Sequence, residues 1–334
     1  MNHHLKAGAP TPWQRLVRMF HLERVTINYI FVYAGLIGLI SLTLPLGITA
    51  VYNLLSNGAM YSSTYILIVV VITGVFIAGI LLISQLSLVE TIEQKIFTRT
   101  SIEFAYRLPR IKLSELQNEN PPELVNRFFD IITIQKGVSK LLVDIVAAAV
   151  QILFSVVLLS FYHPVLIGFG VFTIVFISLM LVVYYRQGLY TSIEESAHKY
   201  NLVAYLEDVA SRLPQYRGSQ AGMQEVLKET DKINASYLRA RNSHFRILKK
   251  FIASSVVLRC MLMGGLLLVG SYFVVERQMT LGQFVAAEVI IVQISYAVEK
   301  FLTSLDTIFD MVTGSEKLAA VTDLELDEQN LIHG

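Results

Sequence analysis

Arg259, Glu288, Gln293, Tyr296 and Glu299 are the polar side chains best placed to do chemistry in this chain, because each stands inside an otherwise apolar run. An ionisable group in such a setting is costly and needs a partner or water. At 1.5 Å of helix rise per residue, Arg259 lies about 22 Å and Glu299 about 24 Å from the short loop that joins their runs, so the two fit an ion pair. Such a pair either holds two helices together or faces a polar pathway. Glu288, about two helical turns from the start of its run, faces either a wet cavity or a neighbouring helix, and Gln293 and Tyr296 fall between these charges. Asp144, Gln151 and Asp306 read as near-interface or interhelical hydrogen-bonding groups. The seven histidines form no ligand constellation: His3 and His4 are in the N-terminal arm and His163 is in a His-Pro turn. The single Cys260 excludes an intramolecular disulfide and a multi-cysteine metal site, and reads as a small core residue. No residues are therefore assigned to catalysis, cofactor binding or metal binding.

The elements that must position these groups are membrane helices. Apolar residues make up 54% of the chain and charged residues 16%, against about 25% charged in soluble domains. A net charge of +1 gives no reason to expect nucleic acid as a partner. Six apolar stretches reach the roughly 20 residues a bilayer requires: Ile27–Leu54, Tyr65–Leu88, Leu141–Tyr162, Pro164–Tyr185, Phe251–Val275 and Phe284–Phe301. The first is too long for the apolar core of a signal peptide and no small-residue cleavage site follows it. Ahead of it, Thr11 before Pro12 marks a helix start. Trp13, Leu16, Val17 and Phe20 then share one face, as in a helix lying along the membrane surface.

Of the 27 Lys and Arg residues, 25 fall in the N-terminal arm, the segments after the second and fourth spans, and the tail region taken with the last turn of the sixth span. The positive-inside rule places those segments and both termini in the cytoplasm. The two long cytoplasmic segments, about 89–140 and 186–250, read as helical hairpins that extend the spans well below the membrane. From Tyr65 to Leu108 no proline interrupts, which allows a helix of about 65 Å against a hydrocarbon core of about 30 Å. The first hairpin tip, N-E-N-P-P-E-L-V-N-R-F-F-D, should break at Pro121–Pro122 and restart as a short helix over 123–130. The second, Y-N-L-V-A-Y-L-E-D-V-A-S-R-L-P-Q-Y-R-G, reads as a short helix stopped by Pro214 and Gly218. Short helices on long stalks suit contact with a cytosolic partner.

With these residues in view, the chain resembles the transmembrane domain of the ABC exporters (the type I ABC transmembrane domain, type IV exporter fold) over residues 10–325. P-P-E-L-V-N-R-F-F-D is similar to that family's first coupling helix: Glu123, Leu124, Val125 and Arg127 fit, while Pro122 and Asn126 replace a common glycine and serine. Y-L-E-D-V-A-S-R resembles the second coupling region, with Glu207 at the usual acidic position, and R-Q-M-T-L-G-Q-F-V-A resembles the turn into the sixth helix. The resemblance implies an all-α membrane protein of six transmembrane helices with long cytoplasmic extensions and two coupling helices. It divides the chain into an arm and elbow (1–24), the membrane domain (25–320) and a solvated acidic tail (321–334).

The resemblance further implies a subunit working with a second copy or a paired half in the lipid bilayer, most simply a bacterial plasma (inner) membrane. Glu123, Leu124, Arg127, Phe128, Tyr205, Glu207, Asp208 and Arg212 would contact an ABC-type ATP-binding domain, which would hold the ATP and Mg. Arg259, Glu288, Gln293, Tyr296 and Glu299 would line the substrate pathway. The chain has no G-x-x-x-x-G-K-[ST] phosphate loop, so it is expected not to hydrolyse ATP itself. Gly218–Gly222 lacks the length and the lysine, and Thr280–Gln283 resembles the ABC signature only superficially. The ATPase is then expected either on another polypeptide or in a further C-terminal domain. The alternative is a scaffold or regulator derived from an exporter half and uncoupled from ATP. Lipids, amphipathic drugs and peptides all suit the composition as substrates.

Overall fold

The structure, a computed structural model, describes residues 11–55, 62–112, 114 and 121–327, with the side chains of Pro121, Pro122 and Glu123 outside the description. Helix α1 (Pro12–Leu22) opens with a reciprocal cap: the Gln14 N–H donates to Thr11 Oγ1 and the Thr11 N–H donates to Gln14 Oε1. That cap satisfies end groups that a helix otherwise leaves unpaired. Leu16 is buried and Val17 exposed, so α1 packs on one face and leaves the other free. Glu23, buried where α1 turns into the first span, is held by Lys95 at 2.8 Å and Arg99 at 3.4 Å.

The first span is broken into α2 (Arg24–Ser41) and α3 (Thr43–Leu55). Pro45 explains the break, since its ring clashes with the carbonyl four residues back, that of Ser41. Helix α4 (Ser62–Arg107) runs without interruption for 46 residues, as the absence of proline suggested. After the first tip come α5 (Pro121–Asn126), a 3₁₀ turn at Arg127–Phe129, and α6 (Asp130–Ser139). A π-turn at Lys140–Ile145 then leads into α7 (Val146–Tyr162). The Leu142 carbonyl in that turn accepts from Gln85 Nε2 at 3.4 Å, which ties the third span to the second.

The remaining elements are α8 (Ile167–Ser211), α9 (Leu213–Tyr216), α10 (Gln220–Val275) and α11 (Leu281–Thr322). Thr280 and Gln283 cap α11 by the same reciprocal pattern as Thr11 and Gln14. All six stretches read from the sequence are in helices long and apolar enough to cross a membrane. Beyond a core of about 30 Å, the rest of each long helix projects on one side as a stalk.

Three expectations are corrected. The second tip is not a separate short helix through 205–212: α8 continues unbroken to Ser211, because no proline occurs between Pro164 and Pro214, and only the four residues of α9 stand apart. Cys260 is exposed on α10, whose inward face is built from Leu258, Leu262 and Leu266. Residues 323–327 are pinned to the fold. Asp323 pairs with Arg15, Glu325 pairs with Lys112 at 2.9 Å, and Leu326 forms an isolated bridge with Ile111. Residues 328–334 lie outside the described residues.

Helix α11 is the central element. It packs against α3, α6, α7, α8 and α10 and is buried over much of its length. Two apolar clusters meet along it. One, toward the short loops, includes Leu262, Leu266, Ile290 and Ile294 and reaches down to Phe309; the other, along the stalks, includes Ile92, Ile134, Val138 and Met311.

Candidate functional site: joined stalk tips and a cavity on shared helices

The first tip turns its sequence-predicted residues inward. Leu124 is 1% exposed and Arg127 4%, and Phe128 sits edge-on between Phe97 and Phe104 at centroid distances of 5.5 and 5.4 Å. The side chain of Glu123 lies outside the described residues. The face actually presented is Val125, 48% exposed, and Phe129, 62% exposed. Both are exposed at the same tip, Val125 on α5 and Phe129 at the end of the 3₁₀ turn that follows it. Arg127 and Leu124 therefore build the tip rather than offer it to a partner.

On the second tip Tyr205, Glu207 and Asp208 occupy the last turns of α8 and are half-buried, while Arg212 caps the helix and pairs with Asp208. The exposed apolar residues here are Leu206 and Leu213. The two tips are joined. Asn126 Nδ2 donates to Glu207 Oε1, and the Tyr200 hydroxyl donates to Asp130 Oδ2. Burial pushes the Asp130 carboxyl above the usual carboxylate range, opposed by that hydroxyl and by Lys199, Lys317 and Arg127. Asp130 lies about 48 Å along the helical run from Tyr162, well outside the span. The ammonium groups of Lys199 and Lys317 also sit over the Tyr200 ring, at 5.7 and 5.0 Å.

Higher on the stalks, His244 is buried between α8 and α11, with Nδ1 at 2.8 Å from Thr191 Oγ1 and Nε2 at 3.1 Å from Asp306 Oδ1. Beside it Ser192 donates to Asp310 at 3.2 Å. Nothing in the sequence spacing signalled His244, because its partners are 53 and 62 residues away.

Within the spans, Arg259 and Glu299 form the ion pair their depths implied, and the Arg259 guanidinium lies 4.8 Å from the centroid of the Tyr296 ring. Gln293 accepts from Gln151 at 3.1 Å, joining α11 to α7. Gln293 and Tyr296 line a cavity of about 410 Å³ walled by α2, α3, α4, α7 and α11, together with Ile40, Leu44, Val75 and Lys300. Arg259, Glu288 and Glu299 are not on that wall. Lys300, missed in the sequence reading, pairs at 2.9 Å with Asp144, which also pairs with Lys140 at 2.7 Å. The i,i+4 spacing of Lys140 and Asp144 was the one available signal.

Among the described residues, six helices long and apolar enough to cross a membrane, a short capped entry helix, two joined stalk tips and a cavity between the spans together define a polytopic helical membrane domain. Residues 27–298 match the family described as ABC transporter transmembrane region, and the chain belongs to that family. Comparison with curated proteins returns no significant match.

Proposed function

We propose that the chain is the membrane-spanning subunit of an ATP-driven exporter, in which two copies, or this chain and a paired half, enclose a substrate pathway. The stalk side is the cytoplasm, which the concentration of Lys and Arg there supports; a bacterial inner membrane is the natural setting. Energy comes from ABC-type ATP-binding domains, carried by another polypeptide or by a further C-terminal domain, which hold the ATP and Mg. The chain lacks a phosphate loop and supplies coupling rather than hydrolysis.

The observation that carries this reading is the pair of tips. Val125, Phe129, Leu206 and Leu213 are exposed at the far ends of the stalks, beyond the reach of a bilayer core about 30 Å thick. Apolar residues left to water at that distance suit a protein partner. Because Asn126 and Tyr200 join the tips, a partner docked on one also bears on the other. The ATP-driven cycle then moves these stalks as rigid bodies and exposes the cavity to alternate sides.

The test is recovery of the complex. The N-terminus is tagged in the native host, membranes are extracted gently, and the captured material is analysed by mass spectrometry and ATPase assay. A stoichiometric ATPase, or a tagged band far larger than this chain carrying ATPase activity, is the expected result. Capture of the chain alone, without ATPase activity, would favour the uncoupled scaffold.

A further inference from the structure

We propose that the cavity takes the apolar body of an anionic amphiphile whose negatively charged head group sits against Lys300 and Lys140. The inference rests on the reading of this cavity as part of the substrate pathway and adds the substrate class. Its basis is an uneven wall. Ile40, Leu44, Val75 and Ala148 make most of the lining apolar, and about 410 Å³ falls within the size of small-molecule sites, roughly 300–1,000 Å³.

Charge gathers at one end. Along α11 the lining runs through Gln293, Tyr296 and Ala297 to Lys300, and along α7 it stops at Ala147, one turn above Asp144. Lys300 and Lys140 share that single carboxylate, at 2.9 and 2.7 Å, and their side chains remain 49% and 47% exposed. Neighbouring Arg259 and Glu299 neutralise one another. These five groups leave one positive charge and, on each lysine, donors beyond the one turned to Asp144.

Depth selects an amphiphile over a small soluble anion. Counted at 1.5 Å per residue from the short-loop ends of their helices, Lys300, Asp144 and Lys140 lie about 26–33 Å down, where a hydrocarbon core of about 30 Å gives way to head groups. The apolar wall rises from there into the core. A molecule with its head at the lysines and its body along Val75 and Leu44 would match both parts at once. A cationic head would meet like charge, and a zwitterionic one would bring its own cation beside two lysines.

The probe is dioctanoyl phosphatidic acid, with dioctanoyl phosphatidylcholine as the matched zwitterion, titrated onto the purified full chain in a mild detergent and read by native mass spectrometry. Phosphatidic acid is expected to bind more tightly than phosphatidylcholine. Lys300→Gln and Lys140→Gln are each expected to weaken it about fivefold, as one lysine near an anionic lipid surface contributes, while leaving phosphatidylcholine unchanged. Ala78→Phe, which places a ring in the cavity where the apolar body would lie but keeps both lysines, is expected to abolish saturable binding. Equal affinity for the two lipids, or phosphatidic acid binding that survives Ala78→Phe, would overturn the proposal, the latter by showing lipid adsorbed to the outside of the helices. Selective binding in a preparation with no ATPase partner would uphold the site while the exporter reading fell. A captured ATPase stimulated equally by both lipids would uphold the exporter and overturn the ligand class.

Discussion

Gly137→Ala should be far more damaging than adding one methyl group suggests. A Cβ built at Gly137 on α6 falls 2.3 Å from Met311 Cβ, 2.6 Å from Cγ and 2.7 Å from Sδ on α11. Carbon atoms settle at about 3.5–4.0 Å, so the shortest contact is too close by roughly 1.2 Å. A Cβ is fixed to its backbone, so no rotamer change of Met311 removes that clash, and α6 and α11 must separate. The separation would loosen Ile134 and Val138 against Met311 and Val312, all buried in one cluster. Overpacking of this kind costs about 1–3 kcal/mol, offset in part by alanine's helix preference of about 1 kcal/mol. Gly79→Ala is the control, because a Cβ there meets nothing within 4 Å. That variant should be neutral or gain up to about 1 kcal/mol. Equilibrium unfolding of both variants and the parent in mixed micelles should separate the two substitutions by about 2 kcal/mol. Equal stabilities would refute the close approach of α6 and α11.

Three further outcomes are expected. Phe129→Asp, at an exposed position, should leave stability within about 0.5 kcal/mol yet abolish ATPase co-purification, whereas Arg127→Glu places the wrong charge in a buried site and should cost about 3 kcal/mol or more; size-exclusion profiles of the two variants distinguish these effects. Asp130→Asn keeps an acceptor for Tyr200 and removes a carboxyl whose pKa is raised in the fold. The stability from that raised pKa is fully present below the ordinary carboxylate value and is lost as pH rises through the folded value, so thermal unfolding between about pH 4 and pH 8 should fall with pH in the parent and less so in the variant. Glu299→Gln leaves Arg259 without its counter-ion inside a span and should cost about 3 kcal/mol or more in the same unfolding assay; a loss within about 1 kcal/mol would show that water reaches the pair.

The spans and the first stalk were legible because they depend on local features: apolar runs longer than a bilayer requires, and a run without proline from Tyr65 to Leu108. The caps at Thr11 and Thr280 depend on three-residue spacings and were equally open to reading. Orientation within an element was not. Leu124 and Arg127 fitted a docking pattern, yet a helix of six residues shows too little periodicity to reveal which face turns inward, and the aromatic contacts of Phe128 with α4 decide it. Cys260 went astray because the usual link between apolar character and burial fails in a membrane, where lipid covers the outer face as readily as protein covers the inner. Lys300 escaped notice because Asp144 stands 156 positions before it, a separation that only the packing of α7 on α11 closes.

The cavity and the tips share α11, and the packing leaves little room for the two ends to move independently. Helix α11 has no proline between Leu281 and Thr322, so it lacks the commonest cause of a sharp bend. At the cavity it carries Gln293, Tyr296 and Lys300. Lower down, Asp306 and Asp310 bind His244 and Ser192 of the second stalk pair, and Phe309 fills the space that a side chain at Gly188 would need. Lower still, Gly314 lies against the Asp130 backbone of the first tip. The first tip and the second stalk pair are therefore fastened to α11 below the cavity by contacts that tolerate almost no sliding, since interiors packed this closely are bistable rather than continuously deformable. Force applied at Val125, Phe129, Leu206 or Leu213 has to reach the cavity by turning the bundle as a body. The compliant joints then lie elsewhere: at the Pro45 break between α2 and α3 and at the π-turn before α7, both of which border the cavity wall.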